Sequence, residues 1–161
     1  MCIRNIALGV IALVPVAAIA HEPAEKSEWS EFEDWKLVSI ANNGEAALFL
    51  SQSLTVRAGN AVQTELLTIF KQAGELGDQV NVHLLVDCSS MTHRQTHQQG
   101  FGPNGPLPPP IVRFVPQPRP AEGTAMLRAL EMACGTIPMG SPSIADPYDW
   151  TRRELDRLSK R

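Results

Sequence analysis

Two cysteines constrain this chain more than any other feature. Cys88 ends a run in which Val80, Val82, Leu84 and Val86 alternate with Asn81, His83, Leu85 and Asp87, and Cys134 ends a run in which Met126, Leu127 and Leu130 recur at helical spacing. The first pattern is a half-buried strand with Cys88 on its inward side, and the second is an amphipathic helix. A bond between the two sulfurs would tie the end of that helix to the inner face of the strand and lay the helix over one side of a sheet. On the chain-entropy estimate, closing so long a loop stabilises a domain by about 4 kcal/mol.

Whether the bond forms depends on the compartment, and the first twenty residues bear on that. Arg4 supplies a short basic start, Ile6 to Val16 an apolar stretch, and Ala18-Ile19-Ala20 a small-x-small junction, which together read as an export signal cleaved after Ala20. Cys2 leaves with the signal, so Cys88 and Cys134 become the only cysteines of the mature chain and an oxidising compartment pairs them. No CxxC spacing or basic setting marks them as a redox pair. The apolar stretch is too short and Ala-rich to span a bilayer, so no transmembrane segment is expected after cleavage. His21 stands where a lipoprotein needs cysteine, so no lipid anchor is expected. A periplasmic or secreted protein follows.

Charge narrows the partners. Fourteen Lys and Arg, less Arg4, stand against seventeen acidic residues, a mature net charge of −4 with His neutral. Nucleic acid is thereby disfavoured, since phosphate binding needs a concentrated basic surface. The C-terminal Arg152, Arg153, Arg157, Lys160 and Arg161 are interleaved with Asp149, Glu154 and Asp156, the pattern of a solvated helix face. The chain divides into the signal (1–20), a flexible acidic lead-in (21–34), one folded domain (35–135) and a Pro-containing linker with a charged C-terminal helix or tail (136–161). Thr151, Leu155 and Leu158 fall on one side of that last helix.

Within the domain, Trp35 to Ile40 and Ala46 to Leu50 flank Asn42-Asn43-Gly44-Glu45 and read as a β-hairpin, because Asn and Gly accept the positive φ of tight turns. Leu54-Thr55-Val56 leads into an Ala58-Gly59-Asn60 turn. Val62 to Gln72 fits period 2 and helical period alike. Ser89 to Gln99 is a polar stretch, and Pro103 to Pro120 reads as a long loop around a short strand at Ile111 to Val115. A helix is expected from Pro120 and Glu122 to the stop at Gly135. The fold class is α+β: an antiparallel sheet of about five to six strands, with a C-terminal helix on one face, tied by one disulfide.

The succession Trp35-Lys36-Leu37, Gly44-Glu45, Ser53-Leu54, a long strand ending near Phe70, Leu85-Val86-Asp87-Cys88, Arg94, Gly100, Gly105 and Ala133-Cys134 resembles the surface-adhesin protein E-like domain family of Gram-negative bacteria. The resemblance covers Trp35 to Gly135. It implies an antiparallel sheet with a C-terminal helix and a cysteine bridge, with Val62 to Gln72 as strand. It also implies binding to host matrix proteins such as vitronectin and laminin, and to plasminogen. The missing lipidation cysteine departs from the family's best-known lipoprotein pattern, and no binding residue carries over.

No catalytic template is present. Ser89 and Ser90 lack a Gly-x-Ser-x-Gly elbow, and Glu31, Glu33 and Asp34 sit in the soft lead-in, so no enzyme and no cofactor are expected. The reading is a non-enzymatic, exported binding protein of the bacterial envelope with a protein partner. Its candidate surfaces are an open sheet edge and the Pro-rich loop with Phe101, Phe114, Pro108, Pro109 and Pro110. The alternative is a soluble periplasmic copper-binding protein, in which the terminal amine and imidazole of His21 join His93 and His97, four residues apart.

Overall fold

In the computed structural model, residues 34–41, 44–110, 114–140 and 142–158 are described. The export signal, His21 and the lead-in up to Glu33 lie outside the described residues. Trp35–Ile40 (β1) and Ala46–Ser51 (β2) form the expected hairpin. Gly44 adopts φ 67° and donates its N–H to the Ala41 carbonyl at 2.8 Å. Asn42 and Asn43 of that turn are outside the described residues.

Val56–Ala58 (β3) turns through Gly59 into Ala61–Gly74 (β4), followed by Gly77–Asp87 (β5), Thr92–Gly102 (β6) and Gly105–Pro106 (β7). All pair antiparallel in the order β1-β2-β4-β5-β6-β7, with β3 beside the start of β4. Two helices follow, Ala125–Cys134 (α1) and Pro147–Leu158 (α2). The architecture is α+β as expected, and the sheet has seven strands rather than five to six.

β4 resolves the segment whose periodicity was ambiguous. Thr64 to Leu67 are buried consecutively, because both faces of the strand are covered. On one face Val38, Leu50, Val62, Leu66, Leu84 and Val86 meet Ala129, Leu130 and Ala133 of α1. On the other Trp35, Ala47, Phe49, Leu67 and Ile69 meet Ile144 and Trp150, whose ring lies edge-on to Phe49 at 5.7 Å. A strand buried on two sides loses its alternation and reads as a continuous apolar run.

α1 begins later than expected. Gly123 holds φ 77°, outside the helical region, and Thr124 is the N-cap, accepting from the Leu127 N–H at 3.2 Å. Gly135 closes the helix at φ 70° as expected. Cys88 and Cys134 are bonded, with Cα atoms 5.6 Å apart. The Arg57 guanidinium, from β3, donates to the Cys134 carbonyl and so ties the same helix end to the sheet.

One reading requires correction and another gains a structure. The polar stretch Ser89 to Gln99, left without an element by its sequence, is mostly β6, which pairs with β5 through ten positions and turns largely polar side chains outward. Its entry is set by Met91, which takes φ 54°, a conformation costing about 1 kcal/mol, while its side chain enters the core. Of the short strand expected at Ile111 to Val115, Ile111 to Arg113 lie outside the described residues. Phe114 and Val115 are not in a strand, and the chain instead makes one bridge two residues later, between Gln117 and His93.

The C-terminal segment docks. Thr151 and Leu155 are buried and Leu158 is half-buried, while buried Asp78 accepts from Arg152 at 2.6 Å and from the Tyr148 hydroxyl at 2.7 Å. No helix among the described residues is long and apolar enough to cross a membrane. Replacing Cys88 and Cys134 together by Ser is expected to cost roughly 3–4 kcal/mol in urea unfolding, measured against the oxidised protein. Arg152→Ala is expected to cost about 1–2 kcal/mol, because it leaves the buried Asp78 without its cation; a calorimetric melt checks it.

Candidate functional site

α2 covers one face only over β1, β2 and the later part of β4. Toward β5, β6 and the start of β4 the same face is open, and strand register assembles side chains there in rows. Val56, Gln63, Leu85 and Arg94 stand side by side on β3, β4, β5 and β6. Val56 is 62% exposed and Leu85 36%, the large apolar groups of this surface. Beside them runs a groove of about 400 Å³ lined by Asn60, Ala61, Leu85, Asp87, Thr92 and Arg94. Asp87 accepts from the Ser89 backbone N–H at 2.9 Å and the Ser89 hydroxyl at 2.6 Å, and these bonds hold its carboxyl below the usual range.

The adjacent row is Glu65, His83 and His97. Glu65 is 1% exposed, and its Oε1 accepts from the Asn81 amide at 2.9 Å. Burial pushes its pKa up to about 7, only partly offset by the Asn81 bond. His83 Nε2 stands 3.6 Å from Glu65 Oε2, and its ring meets that of His97 edge-on at 5.4 Å. Burial, and secondarily the charge of His97, lower the His83 pKa.

β6 has a register shift between these rows. Gln95 opposes Leu84 and His97 opposes His83, so Thr96 is an extra residue, a β-bulge. The bulge separates the two histidines that the copper reading brings together. His93 opposes Val86, on the face covered by α1, whereas His97 lies on the open face. His21 lies outside the described residues. Among the described residues no group of three or more His, Cys, Asp or Glu side chains is arranged to hold a metal.

The expected loop residues are also divided. Phe101 lies in β6, buried at 7% exposure, and is not a surface anchor. Phe114 is 36% exposed, Pro108 and Pro109 are exposed, and Pro110 is half-buried. Loops bridge the backbone near both ends of the sheet: Ile144 donates to the Trp35 carbonyl on β1 at 2.9 Å, and Gln117 exchanges two hydrogen bonds with His93 on β6, away from the short β7.

No family model and no curated protein matches the chain. Protein E from non-typeable Haemophilus influenzae is a similar solved structure. It shares 10% sequence identity at a TM-score of 0.46, over 85% of this chain and 95% of that one.

Val56, Glu65, His83, Leu85 and Arg94 were not among the site residues expected from sequence. The available signals were a single acid inside the apolar run Val62 to Phe70, and a histidine on the polar side of the Val80 to Val86 alternation. Removing the neighbouring charge by His97→Ala is expected to return the His83 titration part of the way toward 6.5, with burial holding it below that value. A proton NMR titration of the imidazole signals measures it.

Proposed function

We propose that this chain is a non-enzymatic binding protein of the bacterial envelope, exported and cleaved after Ala20, that presents the open part of its sheet to a protein partner. The observation that carries this reading is the row Val56, Gln63, Leu85 and Arg94. Two exposed apolar groups stand beside a cation and a shallow groove on a rigid sheet. Apolar side chains held in the open at the centre of a patch, with charge at its margin, suit a protein surface. A shallow groove does not enclose a small molecule, which needs most of its own surface buried.

The resemblance of Trp35 to Gly135 to the adhesin E-like family supplies the partner class, host extracellular-matrix protein. The backbone bridges at Trp35 and His93 favour the face over the edges as the contact surface. Pro116 lines the groove, so the end of the Pro-rich segment borders the same surface.

Mature protein passed over immobilised laminin and vitronectin is expected to bind saturably. Val56→Ser with Leu85→Ser should weaken that binding by roughly tenfold or more, with the melting temperature nearly unchanged because both side chains are exposed. Failure of the wild type to bind either protein refutes the partner class. Equal binding by the double variant refutes the surface.

A further inference from the structure

The row Glu65, His83 and His97 carries an inference independent of what the face binds. Glu65 sits on the central strand, 1% exposed, and among the described residues its Oε1 accepts one hydrogen bond, from the neutral amide of Asn81, while Oε2 accepts none. The described arginine ion pairs all lie elsewhere, at Arg119–Glu122, Arg152–Asp78 and Arg157–Glu154. His83 Nε2, at 3.6 Å, is well beyond the roughly 2.7–2.9 Å of a charge-assisted bond.

The groups facing Glu65 from neighbouring elements are few. β5 contributes His83 and, two rows further, Asp87; β6 contributes His97 and, one row further, Arg94. On β4 itself the flanking side chains of that face are the neutral Gln63 and Leu67, and β1 and β2 bring Trp35 and Ser51, also neutral. Arg152 of α2 is engaged by Asp78 and Tyr148. A carboxylate taken from water without a bonded cation is far costlier than a carboxylic acid. An imidazolium at His83 would likewise be desolvated and would face His97.

We propose that the folded chain keeps one proton on the Glu65 carboxyl and none on His83, so that the two strands face each other here as neutral acid and neutral imidazole instead of an ion pair. Folding then moves a proton rather than taking one up. At about pH 6 the unfolded chain carries it on the imidazole, whose ordinary value is 6.5, and the folded chain carries it on the carboxyl, whose ordinary value is 4.5. There the proton gained by the Glu65 carboxyl on folding and the proton lost by the His83 imidazole act in opposite directions on the pH dependence of stability. Above 6.5 the folded chain alone retains a proton, so raising the pH through about 7 destabilises it. The binding face accordingly keeps an uncharged Glu65–His83 pair in mildly acid surroundings.

The test is a carbon-detected NMR titration of the Glu65 side-chain carboxyl in the intact mature protein, assigned through bonds so that no variant is needed. A midpoint near 7, with His83 titrating below 6.5, is expected; a carboxyl midpoint at or below 4.5 overturns the proposal. Glu65→Gln supplies a second readout. The urea midpoint of the wild type should fall relative to this variant as pH rises from about 4.5 to about 7, because a raised carboxyl pKa stabilises the fold only while the proton is held. A wild type that gains on the variant with rising pH contains an ion pair and overturns the proposal as well.

Discussion

Burial of β4 on both faces is the constraint on which the rest of the structure depends. The strand pairs along one side with β2 and β3, laid end to end, and along the other with β5. Each face then needs its own cover. α1 supplies one, held at its C-terminal end by the Cys88–Cys134 bond and by the Arg57 guanidinium on the Cys134 carbonyl. α2 supplies the other, over the part of the sheet around Phe49, Leu67 and Ile69 and as far as Asp78 at the start of β5. The open region toward β5 and β6 is the remainder that a twelve-residue helix leaves uncovered.

That geometry explains which parts of the fold were legible in the sequence. The hairpin at Gly44, the strand ending at Asp87, the cysteine pair and the Gly135 stop each follow from local chemistry: a positive φ, a two-residue alternation, an oxidising compartment, a left-handed cap. Val62 to Gln72 was illegible by periodicity because four successive residues at its centre, Thr64 to Leu67, are buried whichever face they point to. β6 was illegible for the opposite reason. Its pairing rests on the backbone of β5, and its outward side chains, Arg94, Thr96 and His97 among them, carry no apolar repeat. The N-terminus of α1 was placed early because Pro120 and Glu122 are favoured helix starters, while Gly123 takes a backbone conformation that no helix contains.

The candidate site was less legible than the fold, and one residue accounts for much of that. Thr96 is the extra residue of the β6 bulge; without it His97 would share a face with His93, as spacing alone suggests. With it, His97 opposes His83 and joins Glu65, while His93 turns toward the side that α1 covers. Cross-strand register of this kind is set by pairing partners far apart in the chain. A single sequence shows the residue types but not the rows they form. Glu65 illustrates the point, since an acid within an apolar run gains meaning only when Asn81 and His83 are found opposite and beside it.

The loop bridges at the two ends of the sheet carry a consequence of another kind. A strand at the margin of a sheet offers a ladder of free amides and carbonyls on which identical copies can stack without limit. Here Ile144 occupies part of β1, while Leu107 and Gln117 hold the chain against β6 at Gly100 and His93, with Pro108, Pro109, Pro110 and Pro116 between those two points unable to donate. Part of the backbone hydrogen bonding near each end of the sheet is thereby already taken within the chain, which leaves fewer free groups for a strand of another copy to pair with.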